Sequence, residues 1–182
     1  MSVATVPDYL VGTWNIDPIH SEIGFSVRHM MVSKVRGKFT SFSGQIVTAE
    51  DPLASSATVS VDLNSIDTSN EQRDDHVRSA DFFDVANNPT MTYRSTGVRR
   101  DGDGYILDGE LTLKGVTKSV PLNVELSGFG PDPYGGTRVG FSGTGEINRN
   151  DFGVSFNGVL ETGGVVVGEK VTLQLEIQGV LA

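Results

Sequence analysis

Period-two alternation of apolar and polar residues runs through most of this 182-residue chain, and few folds accept it. Val59, Val61 and Leu63 alternate with Thr58, Ser60 and Asp62. Leu107, Leu111 and Leu113 alternate with Asp108, Glu110 and Thr112, and Val120, Leu122, Val124 and Leu126 with Ser119, Asn123 and Glu125. Val171, Leu173, Leu175 and Ile177 oppose Thr172, Gln174, Glu176 and Gln178. Each run predicts a strand with one apolar and one wet face, which is the pattern of antiparallel sheets rather than doubly covered parallel ones.

Further strands are predicted at about 10–17, 21–29, 34–49, 90–100 and 136–149. Turn signals separate them at Asp101-Gly102-Asp103-Gly104, at Gly128 to Gly136 and at Gly163-Gly164. The 22 glycines suit a fold with many tight turns. Long strands joined in near-sequential hairpins favour an all-β, antiparallel, eight-stranded barrel over a sandwich, because closure removes exposed edges. Such a barrel either holds one elongated ligand or is filled by its own side chains. No linker or repeat divides the chain, so residues 1–182 are expected to form a single domain.

A net charge of -9 repels a phosphate backbone, and nucleic acid is not an expected partner. With no cysteine there are no disulfides, thiolate nucleophiles or Cys-based metal sites. The opening MSVATVPDYLVG has neither a basic region nor an apolar core of the signal-peptide kind. The longest apolar run, Val165–Val167, is far too short to cross a bilayer. A cytoplasmic, not membrane-spanning protein is expected.

Serine-hydrolase chemistry has no G-x-S-x-G elbow to rest on. His20, His29 and His76 lack metal-ligand spacing. Asp101-Gly102-Asp103-Gly104 resembles the start of a calcium loop, but Tyr105 occupies the third ligand position and no glutamate follows at the required distance. No glycine-rich phosphate loop precedes a helix. No metal and no cofactor are expected.

Residues Thr68 to Pro89 break the β pattern. Ser69 with Gln72 three residues on forms a capping-box pattern, and Glu71 suits the helix dipole. Val77, Ala80 and Phe83 give a thin apolar stripe, and Asn87, Asn88 and Pro89 stop the element. Arg73, His76 and Arg78 either meet an anionic group or pair with Asp74, Asp75, Asp81 and Asp84 at the surface. His29 shares parity with Ile23, Phe25, Val27 and Met31, so its ring is expected on the apolar side, as a satisfied core histidine or as a polar anchor in a greasy pocket.

Several of these blocks occur together in a known family. They are W-x-x-D-P-x-H-S (Trp14, Asp17, Pro18, His20, Ser21), the run Ile23 to Met30, and Gly37 with Phe39. The insert adds R-x-x-H-x-R-S-x-D-F-F-D, from Arg73 to Asp84 with Phe82 and Phe83 at its core. Gly109 to Lys118 and I-x-R-x-x-F-G (Ile147, Arg149, Phe152, Gly153) complete the set. In these blocks the chain resembles the YceI-like, polyisoprenoid-binding, lipocalin-like family. It departs from exported relatives in the absence of a leader, and Val77 stands where many relatives have leucine.

The resemblance implies a lipocalin-like barrel whose apolar cavity holds a long polyisoprenoid or fatty amphiphile, in a carrier, storage or sequestration role, with a homodimer as a possible assembly. Parity then predicts the lining: Phe25 and Val27 with His29 and Phe39 from the early strands, then Val59 and Val61. Met91, Tyr93, Leu111 and Leu113 follow, with Leu122, Phe141 and Leu173 from the later strands. From the insert, Arg73, His76, Phe82 and Phe83 would contact the ligand. The alternative is an enzyme acting on a lipophilic substrate, with His29 or His76 as acid or base. Its mark would be a histidine held by a carboxylate beside the cavity.

Overall fold

The computed structural model describes residues 9–30, 32–157 and 167–182. Strands β1 (Gly12–Ile16), β2 (Glu22–His29), β3 (Ser33–Phe39), β4 (Phe42–Thr48), β5 (Ser56–Asp62) and β6 (Ile66–Asp67) precede the helix α1 (Glu71–Arg78). After it come β7 (Thr90–Asp101), β8 (Gly104–Leu113), β9 (Val116–Ser119), β10 (Leu122–Pro131), β11 (Thr137–Asn148) and β12 (Val167–Leu181). The Gly163-Gly164 turn signal, residues 165 and 166 of the longest apolar run, and Met31 lie outside the described residues.

The pairings are antiparallel throughout, and the ring runs β1-β4-β5-β7-β8-β10-β11-β12 before closing through β12 and β1, with Trp14 opposite Leu181. β2 continues the line of β1 along β12, and β3 lies against β2 as β4 lies against β1. The expected eight-stranded antiparallel barrel is therefore observed, with four of its positions each made from two segments: β1 with β2, β4 with β3, β5 with β6, and β10 with β9.

Those breaks correct the sequence reading and have local causes. The expected strand 34–49 splits at Thr40 and Ser41, whose amides turn aside to the Ser65 carbonyl and the Ser65 hydroxyl. The alternating run Val120 to Leu126 is interrupted at its start, where Pro121 has no amide to donate to a ladder. The turn signalled over Gly128 to Gly136 begins later than expected. β10 runs on to Pro131, with a bulge between Leu126 and Gly128, and the turn proper is closed by Asp132 N to Gly136 O at 3.0 Å. That bulge resets parity and brings Phe129 opposite Val139. At Asp101–Gly104 the hairpin is as expected, with Gly102 at φ 58.

The helix cap is also corrected. Asn70, not Ser69, caps α1, its side chain accepting from Arg73 N at 2.9 Å. Ser69 is drawn out of the cap position by Asp67, which accepts from its amide at 2.8 Å, and it adopts φ 63. α1 ends at Arg78, so of the expected apolar stripe only Val77 is helical, while Ala80 and Phe83 lie in the turns that follow.

One end of the barrel is plugged. Trp14 is fully buried and Val139 nearly so. The Trp14 indole donates to Thr48 Oγ1 at 2.8 Å, and the rings of Tyr9 and Trp14 each lie 5.5 Å from that of Phe129. Near this end Arg138 bridges Asp17 and Asp132, at 2.8 Å each, and the Asp17 carboxylate also takes His20 Nδ1 at 2.7 Å. Burial works to raise the pKa of Asp17, but the hydrogen bonds from His20, Arg138 and the Ile19 amide prevail and hold it well below the usual carboxylate range.

Candidate functional site

Inside the barrel lies a cavity of ≈ 350 Å³, within the size range of small-ligand pockets. It runs from Tyr9, Pro52 and Tyr105 near the plugged end to His29, Arg73 and Val154 at the other. Alternation along the strands puts Phe25, Val27, Val59, Val61, Met91 and Tyr93 on its wall, and across the ring Leu111, Leu113, Leu122, Phe141 and Leu173. Phe39 joins them from β3.

No Asp or Glu lines the cavity among the described residues, while Arg28, His29, Arg73 and Arg149 do. Tyr93 is the main polar group of the mid-wall. Its hydroxyl donates to Val120 O at 2.7 Å, and burial, with the Asp108 charge adding to it, pushes its pKa up to about 12. Gly109 makes room for this ring, since a Cβ there would overlap it.

The insert covers the open end of the barrel. Val77, Phe82 and Phe83 face the cavity, and the Phe25, Phe39 and Phe83 rings follow one another at 5.7 and 6.3 Å. Arg73 also reaches the cavity. Among the described residues it has no carboxylate partner. Instead it donates to Thr68 Oγ1 at 2.8 Å and Thr68 O at 2.7 Å. The Thr68 hydroxyl in turn donates to buried Asp74, which also accepts the Thr68 amide, so the position of Arg73 is fixed through a threonine.

His76 is the one candidate that the fold does not bring to the cavity. Its ring meets Asp81 at 2.8 Å and packs edge-on against Phe82 and Phe156 at 5.1 and 5.0 Å, on the outer side of the cover. Arg78 likewise stays out of the cavity, pairing with Asp75 at 2.9 Å and donating to the Asn64 and Ile66 carbonyls at 3.0 and 3.1 Å. The two readings of the insert thus divide: His76 and Arg78 pair with acids, and Arg73 does not. His29 lines the cavity without a carboxylate partner among the described residues, whereas His76 and His20 have carboxylates but lie away from it. No described histidine combines both features.

Arg149 carries more of the site than the sequence reading gave it, where it was only part of a motif. It is 5% exposed and spends its donors on backbone. Nη1 reaches Val154 O and Phe156 O at 2.7 and 2.9 Å, Nε reaches Gly168 O at 2.8 Å, and Nη2 reaches Val167 O at 3.2 Å. Parity would also have found Ile147, Leu175 and Ile177, which line the cavity too. The Phe152–Val154 turn had no periodic signal.

A family model described as the YceI-like domain matches residues 14–179. A UPF0312 protein of Vibrio cholerae is 38% identical over 181 residues, covering 97% of this chain and 89% of that one. Among solved structures, BcnA of Burkholderia cenocepacia superposes with a TM-score of 0.77 at 24% identity, covering 90% of this chain and 98% of that one. A polyisoprenoid binding domain from Saccharophagus degradans, implicated in plant cell wall breakdown, superposes with a TM-score of 0.68 at 19% identity, covering 95% and 100%.

Proposed function

The chain belongs to the YceI-like domain family, and on that premise we propose that it binds a long polyisoprenoid or similar fatty amphiphile inside the barrel, as a carrier, storage or sequestration protein. The observation that carries this reading is the cavity itself, ≈ 350 Å³ in volume, apolar along its length and free of carboxylates among the described residues. The polyisoprenoid-binding domain of similar fold supports it.

Apolar burial supplies the affinity in this reading. At roughly 0.8 kcal/mol per buried CH₂, a few isoprene units outweigh any single polar contact. The polar end of the ligand lies toward His29 and Arg73, the cationic end of the cavity, so these two set orientation more than strength. Phe82 and Phe83 close over it from the insert.

Organic extraction of the purified protein followed by mass spectrometry tests the reading directly. The expected result is a stoichiometric lipid with a long apolar chain. Stripped protein should then take up a homologous series of fluorescent fatty probes with affinity rising by roughly tenfold for each two methylenes until the cavity is full. Absence of extractable lipid together with no probe uptake would refute it.

A further inference from the structure

Charge on this molecule is not spread evenly. The chain carries 14 Lys and Arg against 23 Asp and Glu, yet residues 22–39 hold four of the cations and a single acid, Glu22. The four are Arg28, Lys34, Arg36 and Lys38, on the β2–β3 hairpin, and all are exposed. In the ladder Arg28 lies directly opposite Lys34, with Ser26 opposite Arg36 and Gly24 opposite Lys38. Lys34, Arg36 and Lys38 therefore share the outer face, and Arg28, of the same parity and exposed, also borders the cavity that Phe25, Val27 and His29 line.

Like charges placed opposite one another destabilise a strand pair, and nothing described offsets them. None of the four has an ion-pair partner among the described residues. Asp67, opposite Lys38, turns its carboxylate to the Ser69 amide instead. Arg94, Arg99 and Arg138, by contrast, are each paired with an acid.

The described residues at the tip of the same hairpin are apolar and bare. Met30 is 47% and Val32 86% exposed, and Met30 holds φ 53 to present the turn. His29, one residue away, lines the cavity and pairs across to Val167. Cationic flanks behind a projecting apolar tip are the features by which a protein seats on an anionic lipid surface: charge brings it in and apolar residues enter the headgroup boundary.

We infer that the β2–β3 hairpin docks this protein on an anionic bilayer, with Met30 and Val32 in the interface and Arg28, Lys34, Arg36 and Lys38 against the headgroups. The inference stands whatever occupies the cavity. It also sets the His29 end of the barrel against the membrane, where an apolar molecule can pass between bilayer and cavity with little exposure to water.

Flotation of the full-length protein with vesicles tests it, using phosphatidylcholine alone or phosphatidylcholine mixed with phosphatidylglycerol. Binding is expected only to the mixed vesicles and is expected to fall with added salt. Each cation near such a surface is worth a factor of about five. Replacing the three cations that do not border the cavity by Gln (K34Q, R36Q, K38Q) should thus weaken binding by roughly two orders of magnitude. Met30→Asn with Val32→Ser, asparagine being tolerant of positive φ, should weaken it by about tenfold while leaving the salt dependence. Uptake of a fluorescent fatty acid in solution reports the fold and the cavity separately and is expected to be unchanged in both variants. Equal binding to neutral vesicles, undiminished binding by the Gln variant, or binding to heparin with none to vesicles would each overturn membrane docking.

Discussion

Arg149→Met tests whether one buried guanidinium holds the cover of the barrel together. The side chain joins Val154 and Phe156 to Val167 and Gly168 through four hydrogen bonds of 2.7–3.2 Å. The bond to Val154 O is buried and is worth about 2 kcal/mol as a charge-assisted contact. The other three are partly accessible, so water recovers some of their value, leaving about 1 kcal/mol each. Against this total, methionine removes the cost of burying a charge, the same cost that depresses the arginine's pKa despite the opposing pull of Glu169. A net loss of about 3 kcal/mol follows, or a fall in Tm of roughly 6–12 °C for a chain of this size. Arg149→Lys keeps the charge but not the fork, and should recover less than half of the loss. Urea denaturation of both variants, with m-values checked against wild type, reads the effect. A Met variant within about 1 kcal/mol of wild type, or a Lys variant equal to it, would show that the guanidinium is a bystander.

Three other perturbations follow from the same geometry. Because Asp17 is held well below the usual carboxylate range in the folded state, its contribution is complete above the unfolded value near 4 and fades as pH falls below it. Asp17→Asn should therefore flatten the acid limb of the urea midpoint against pH, and an unchanged limb would contradict the assignment. Tyr93 has the opposite sense: with its pKa raised to about 12, its contribution is complete below the ordinary tyrosine value near 10 and is lost as pH climbs from there to 12. Tyr93→Phe should abolish that alkaline loss and, by leaving the Val120 carbonyl without its donor, cost about 1–3 kcal/mol at neutral pH by chemical denaturation. Gly109→Ala drives a methyl into the Tyr93 ring and should cost about 1–3 kcal/mol while reducing probe uptake, because the ring can only retreat into the cavity. A neutral effect on both readouts would mean the wall yields elsewhere.

Much of the barrel was legible because parity is a local signal that survives interruption. Val120 and Leu122 face inward although Pro121 breaks the strand between them, and Val59, Val61, Leu111 and Leu113 reach the cavity by simple alternation. What escaped were features set by residues far apart in the chain. The plug joins Tyr9, Trp14, Phe129 and Val139, and Phe129 has the right parity only after the bulge at Leu126/Gly128. The cap at Asn70 depended on Asp67 claiming the Ser69 amide, a competition that the capping-box pattern does not encode. His76 was read together with Arg73 because both sit on one short helix; at 3.6 residues per turn His76 falls about 60° to one side of Arg73 and Val77 about 40° to the other, so Val77 follows Arg73 to the cavity while His76 turns to Asp81. Arg149 stood out as a motif residue with no periodic role, and its work, satisfying backbone carbonyls, leaves no trace in hydrophobic patterning.

Closure of the ring through Trp14 and Leu181 has a consequence for how the protein is made. Of the described strands β1 is made before β12 by about 165 residues, so at 5–20 residues per second roughly ten to thirty seconds separate the two partners. Until β12 emerges, β1 and β2, and β11 once it is made, lack the neighbour that completes them, and the apolar wall is an open, curling sheet instead of a sealed interior. The nascent barrel is thus most exposed to sticking and to holdase chaperones just before the fifteen-residue strand β12 is released. Truncations or fusions that delay that strand should lower soluble yield far more than their effect on the finished protein's stability.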